Sequence, residues 1–140
     1  LKHMTVPKRG SWFFKALLLL YFAAVAYLCF ANFDSVPQVS RYIFGIPTDK
    51  VVHFVMFLPF PILVFLAIDR FTTKPWHSLL MMCGTFLVGC MLAAGTEYGQ
   101  SLLTYRSCDV KDFRADMIAL SISSLIVFII DILKQVKDED

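Results

Sequence analysis

Charge is what this chain has least of. Only 17% of its 140 residues are Asp, Glu, Lys or Arg, against about a quarter in soluble domains. The net charge is +2, and no basic block is interleaved with stacking aromatics, so nucleic acid is excluded as a partner. Four cysteines, Cys29, Cys83, Cys90 and Cys108, are present without CxxC spacing. Three of them lie inside apolar runs, where cysteine behaves as a small apolar residue. The expectation is free thiols, with neither a disulfide framework nor a zinc site. No HExxH spacing, nucleophile motif or internal repeat is visible, and no polar stretch is long enough for a separate soluble domain.

What the chain has is long apolar runs: Phe13–Phe33, Val51–Ile68, Leu79–Ala94 and Met117–Leu133. A membrane-crossing helix needs roughly 20 residues, within a range of about 17–25. The first run meets this directly, and the others reach it by extending into their polar flanks. The expected fold is all-α, an integral membrane bundle of four transmembrane helices. The expected organisation is a segment 1–12, one four-helix domain over 13–133 and a charged cytoplasmic tail 134–140. Within 1–12, Leu1-Lys2-His3-Met4 is expected to be an expression remnant, with Met4 the native start. The first run is too long for a signal-peptide core and lacks a small-x-small cleavage site before Asp34, so a retained anchor is expected.

Basic residues sort modestly by loop. Lys8, Arg9 and Lys15 precede or open the first run, Arg70 and Lys74 lie between the second and third, and Lys134 and Lys137 end the chain. Arg41, Lys50, Arg106, Lys111 and Arg114 fall on the other side. Positive-inside bias therefore places both termini in the cytoplasm. Parity is the stronger argument: with four spans, segments 34–50 and 97–116 share one face, which this bias makes external.

That shared face holds the residues that cost most to keep near lipid: Asp49, Lys50, His53, Glu97, Arg106, Asp112 and Asp116. Ionisable groups there are functional-site candidates. Thr48 is expected to cap the second span, with Asp49 facing its positive end. Asp49 and His53 stand one turn apart on one helix face. Packing through a hydrogen bond and proton transfer are both open roles for His53. Pro59 and Pro61 should kink this span. Gly89-x-x-x-Ala93 and Gly95-x-x-x-Gly99 allow close helix approach in the third, which should run to about Leu103. Glu97 follows directly on its apolar run and should point inward, sharing a face with Gln100. Asp109 should cap the last helix, where Asp112, Asp116, Ala119 and Ser123 share one face. Two carboxylates one turn apart repel, so Arg106, Lys50 or a metal ion must stand near them. Asp131 reads as a boundary residue facing Lys134.

Asp49-Lys50-Val51-Val52-His53-Phe54, Glu97-x-x-Gln100, and Arg106 followed six residues on by Asp112 together resemble the VanZ-like family of small membrane proteins. The resemblance covers the second to fourth spans. Two positions differ from the family pattern Asp-x-x-x-Asn-x-x-Gly: Asp116 stands in the Asn place, adding a charge, and Ala119 in the Gly place. The resemblance implies a protein of the bacterial inner (cytoplasmic) membrane and cell envelope. It also implies a link to glycopeptide resistance, notably to teicoplanin, without fixing a reaction.

Two functions compete at this point. In one, a site at the external face binds or modifies a lipid-linked or glycopeptide ligand. His53, Glu97 and Asp112 are then its acid/base groups, and Asp49, Lys50, Gln100, Arg106 and Asp116 bind the ligand, Arg106 bidentately. Carboxylates with one His also suit Mg²⁺ or Zn²⁺, so a divalent metal is a candidate cofactor. In the other, the charges lock the helices and present a surface to a lipid or partner protein. Membrane lipid is an expected partner in both, and a homo-oligomer is compatible with the small-residue faces.

Overall fold

The computed structural model describes residues 9–33, 35, 37, 40–68, 74–106 and 108–139. Residues Leu1–Met4, Lys8, Asp34 and Arg70, on which some of these expectations fall, lie outside the described residues. The first span is α1, Arg9–Phe30. A hairpin of β1, Tyr42–Ile43, and β2, Ile46–Pro47, follows. The second span is divided into α2, Thr48–Phe57, and α3, Pro59–Ile68. The third is α4, Pro75–Ser101, and the fourth α5, Val110–Glu139. Four segments are long and apolar enough to cross a membrane, so the chain is an all-α integral membrane bundle. Helix α5 continues through the charged segment from Lys134 as far as Glu139.

The divided second span follows from its prolines. Pro59 and Pro61 have no N–H to offer the carbonyls one turn back. The Tyr21 hydroxyl of α1 donates to the Met56 carbonyl at 2.8 Å, satisfying a backbone group at the break. The turn before α2 is equally local in origin. Phe44 and Gly45 take positive φ angles of 51° and 78°, as a two-residue I′ hairpin requires. Thr48 is not the cap it was expected to be: it is the first residue of α2, and its hydroxyl donates to the Ser40 carbonyl. Asp109 does cap α5, its Oδ1 accepting from the Lys111 amide at 2.9 Å. Helix α4 opens on Pro75, where a missing N–H costs nothing, and closes at Ser101, two residues before the expected end.

Helix α5 is the hub, packed against α4, α2 and α3, while α1 lies on α3 and α4. The outer surface carries Leu19, Leu87, Met91, Leu125, Ile129 and Leu133, all exposed. The interior is unusually polar. Asp112, Asp116, Ala119 and Ser123 are all buried along one face of α5. That arrangement suits a chain in lipid, where apolar side chains gain nothing by turning inward and polar ones need partners inside. Small residues permit the contacts. Gly89 lies under Leu120 and Phe60, and Gly99 under the Phe30 ring, leaving no room for a Cβ at either. Gly95, by contrast, faces open space.

At the far end of the bundle Asp131 belongs to a polar cluster. It is buried and accepts from the Ser78 hydroxyl at 2.6 Å, which in turn accepts from the Gln135 amide at 2.6 Å. This links α4 to α5 at the end opposite the charged face.

Candidate functional site

Three helix ends converge on one polar centre. His53 lies five residues into α2, Asp116 six into α5 and Glu97 four before the end of α4. At 1.5 Å rise per residue these positions are about 6–9 Å inside the helix ends, a shared depth. His53, Glu97, Asp112 and Asp116 are all buried there. His53 Nδ1 stands 3.0 Å from Asp116 Oδ1 and 3.6 Å from Glu97 Oε1. Its Nε2 faces Asp112 Oδ2 at 3.7 Å. The imidazole is thus flanked by carboxylates on both sides, with Asp116 within hydrogen-bond reach of Nδ1 and Asp112 just beyond it at Nε2.

Lys50 closes the site toward the membrane surface. Its ammonium bonds Asp112, Asp49 at 2.9 Å and Asp109 at 2.9 Å. It is therefore the positive group that the α5 carboxylates require. Asp49 does not orient His53, despite the helical spacing. Its carboxylate is exposed and turned to Lys50. Outside the spans, the hydrogen bond from Lys50, with help from the Lys111 amide, holds the Asp109 carboxyl below the usual carboxylate range.

Arg106 and Gln100 serve a different structure. Arg106 Nη2 donates to the carbonyls of Leu28 at 2.8 Å and Ala31 at 3.0 Å. The Gln100 amide donates to Cys29 O at 3.1 Å and the Tyr105 hydroxyl to Phe30 O at 2.6 Å. These side chains satisfy the carbonyls of Leu28, Cys29 and Phe30 at the end of α1 and of Ala31 just beyond it, carbonyls that a helix terminus leaves without a backbone partner. Arg106 therefore does not pair with Asp112, and Gln100 turns away from Glu97. Both still line a cavity of about 620 Å³ that also reaches Asp49 and His53. Its remaining wall includes Leu28, Cys29, Phe33, Val52 and Met56. Gln100 Oε1 and Arg106 Nε are buried and unbonded among the described residues.

Glu97 is the anomaly of the site. Both its oxygens are buried and neither closes a hydrogen bond among the described residues. Cys108 and the Asp109 amide face it from the loop. His53, Glu97 and Asp116 each offer one ligand atom within 4.8 Å of the others, and so do Asp49, Asp109 and Asp112. The second group is already centred on the Lys50 ammonium. The His53–Asp116 pairing is a contact that sequence spacing did not reveal. The α1 clamp by Tyr105 was equally hidden.

The sequence pattern of the VanZ/LLP1 family matches residues 4–131. The chain is also similar to an uncharacterised protein of Schizosaccharomyces pombe, 28% identical over 124 residues. That alignment takes in 89% of this chain and 65% of the relative, so the chain spans about two thirds of the relative's length. No solved structure matches. With the family pattern spanning all four membrane helices, this chain belongs to the VanZ/LLP1 family.

Proposed function

We propose that the protein binds an amphiphile with an anionic or sugar-bearing head group, such as a lipid-linked or glycopeptide ligand, and acts on it through His53. One observation carries this reading: His53, held in the buried carboxylate centre, lines a cavity whose other lining residues are both apolar and polar. An acyl or isoprenoid chain fits against Leu28, Val52 and Met56. Gln100 and Arg106, which also line the cavity, supply its polar side for a head group. His53, Glu97 and Asp112 are the acid/base groups of this reading. Asp116 orients His53, and Lys50 holds Asp112. Positive-inside bias supports an external location for the site. A bacterial cytoplasmic membrane, with a part in the cell envelope or in teicoplanin resistance, rests on the resemblance to resistance-associated members alone; the relative described above is a yeast protein. Self-association through the outward Gly84 and Gly95 of α4 belongs to the same reading and is read from the mass of the detergent-solubilised particle.

The competing structural reading also has an observation in its favour. Lys50 gathers three carboxylates and ties α2 to α5. The two readings part under conservative substitution. His53→Gln, Glu97→Gln and Asp112→Asn should each abolish the cellular phenotype that depends on this protein, while the purified variants still fold and unfold cooperatively. Parallel loss of folding and phenotype in all three would establish the charges as struts instead.

A further inference from the structure

We propose that His53, Glu97 and Asp116 form a binding site for one first-row divalent transition cation, Zn²⁺ or Mn²⁺. The cluster is more than a group of acids. Glu97 is buried, aimed at His53, and has no hydrogen bond to either oxygen among the described residues. The Cys108 thiol, the Asp109 amide and the His53 ring face it without closing a bond, and a buried carboxylate so weakly partnered is costly for a fold to hold. A cation supplies the missing partner.

The spacing fits. Two ligand atoms each about 2.1 Å from a common tetrahedral ion lie about 3.4 Å apart. His53 Nδ1 stands 3.0 Å from Asp116 Oδ1 and 3.6 Å from Glu97 Oε1. All three ligand atoms fall within 4.8 Å of one another. Small side-chain adjustments suffice to seat the ion. The charge fits as well. Glu97, Asp112 and Asp116 oppose the Lys50 ammonium, which is itself shared with Asp49 and Asp109. With a neutral imidazole, at least two negative charges are left over in the interior, the charge a divalent cation balances.

The surroundings match what metal-bound histidines use. Nε2 of His53 faces Asp112 Oδ2 at 3.7 Å, and Asp112 is anchored by Lys50. A carboxylate behind the ligating imidazole fixes its tautomer and raises its basicity. One imidazole with two carboxylates favours Zn²⁺ or Mn²⁺ over Ca²⁺ and Mg²⁺, which prefer oxygen alone. The site sits beside the cavity at His53, leaving a coordination position for water or a ligand oxygen. This deepens the amphiphile reading: His53 would then act as a ligand, and the cation as the Lewis acid facing the head group.

The test uses the full chain purified in detergent, stripped with EDTA and exposed to ZnCl₂ or MnCl₂ alone. Elemental analysis after desalting should give one metal per chain, and the thermal transition should rise with added metal. Glu97→Gln and Asp116→Asn should each lower occupancy at least tenfold, whereas Asp131→Asn, at the opposite end of the bundle, should leave it unchanged. Should a variant fail to fold, the visible spectrum of the Co²⁺-loaded wild type, with its sensitivity to a nitrogen ligand, gives an independent reading. Less than a tenth of an equivalent of metal in the wild type, or equal binding in Glu97→Gln, overturns the site. Native mass spectrometry of the same samples separates the two proposals. Bound lipid without metal defeats only the cation site, and bound metal without lipid defeats only the amphiphile reading.

Discussion

A buried carboxylate without a hydrogen bond tells more about Glu97 than its position in the sequence does. Stability alone does not favour keeping it. Glu97→Gln is therefore expected to raise the melting temperature of EDTA-treated protein, by the equivalent of about 1–3 kcal/mol, the cost of an unsatisfied buried group. Differential scanning of wild type and variant in the same detergent checks this; a destabilised variant would mean that Glu97 already has a compensating partner. Asp116 behaves oppositely. It is fully buried and touches His53, so Asp116→Ala should destabilise by about 3–5 kcal/mol, as expected for breaking a buried pair. At the rim, Asp109 has a depressed pKa through Lys50. The stability it contributes is fully present above its unfolded pKa of about 3.9 and is lost as pH falls through the lower folded value. An acid titration of Asp109→Asn should accordingly show a flatter loss of stability below about pH 4 than wild type.

Between helices, side chains finish what backbone hydrogen bonding leaves open. The carbonyl end of α1 is held by Gln100, Tyr105 and Arg106. Arg106→Met should cost about 1–3 kcal/mol through lost charge-assisted bonds and speed hydrogen exchange in the last turn of α1. Arg106→Lys should restore little of this, because an ammonium lacks the planar fork that reaches two carbonyls. Small residues in α4 are just as position-specific. A Cβ on Gly89 would approach Leu120 Cδ2 to 2.7 Å, whereas one on Gly95 meets nothing within 4 Å. Gly89→Ala should thus destabilise by about 1–3 kcal/mol, and Gly95→Ala should be neutral or stabilise by up to about 1 kcal/mol. Thermal unfolding of the two variants side by side settles the contrast.

At the scale of the whole molecule, most of the architecture was legible because lipid imposes a simple rule: apolar runs of sufficient length become spans. Parity then brought residues 49–53 and 97–116 to one face, and the structure places Lys50, His53, Glu97, Asp112 and Asp116 in contact there. The proline break and the Asp109 cap were legible for a similar reason, since each depends on local chemistry. What could not be read was the pairing across helices. Helical spacing made Asp49 the natural companion of His53, but rotation of α2 against α5 chose Asp116. Arg106 looked like an ion-pair partner for Asp112 because only their separation along the chain was visible. The carbonyls it actually serves lie more than 70 residues away. The Ser78 and Gln135 cluster around Asp131 was illegible for the same reason, since it comes together only after α4 and α5 pack.

His53 joins the polar centre to an amphiphile-sized cavity, and native mass spectrometry of the detergent-purified protein tests most directly whether that cavity holds an amphiphile. Wild type and His53→Gln are predicted to carry a bound amphiphile of the same mass, because His53 acts on the ligand more than it holds it. Val52→Trp, which adds bulk at the cavity lining, is predicted to lose that adduct while remaining folded. An identical adduct in folded Val52→Trp, or none in wild type, would contradict the account.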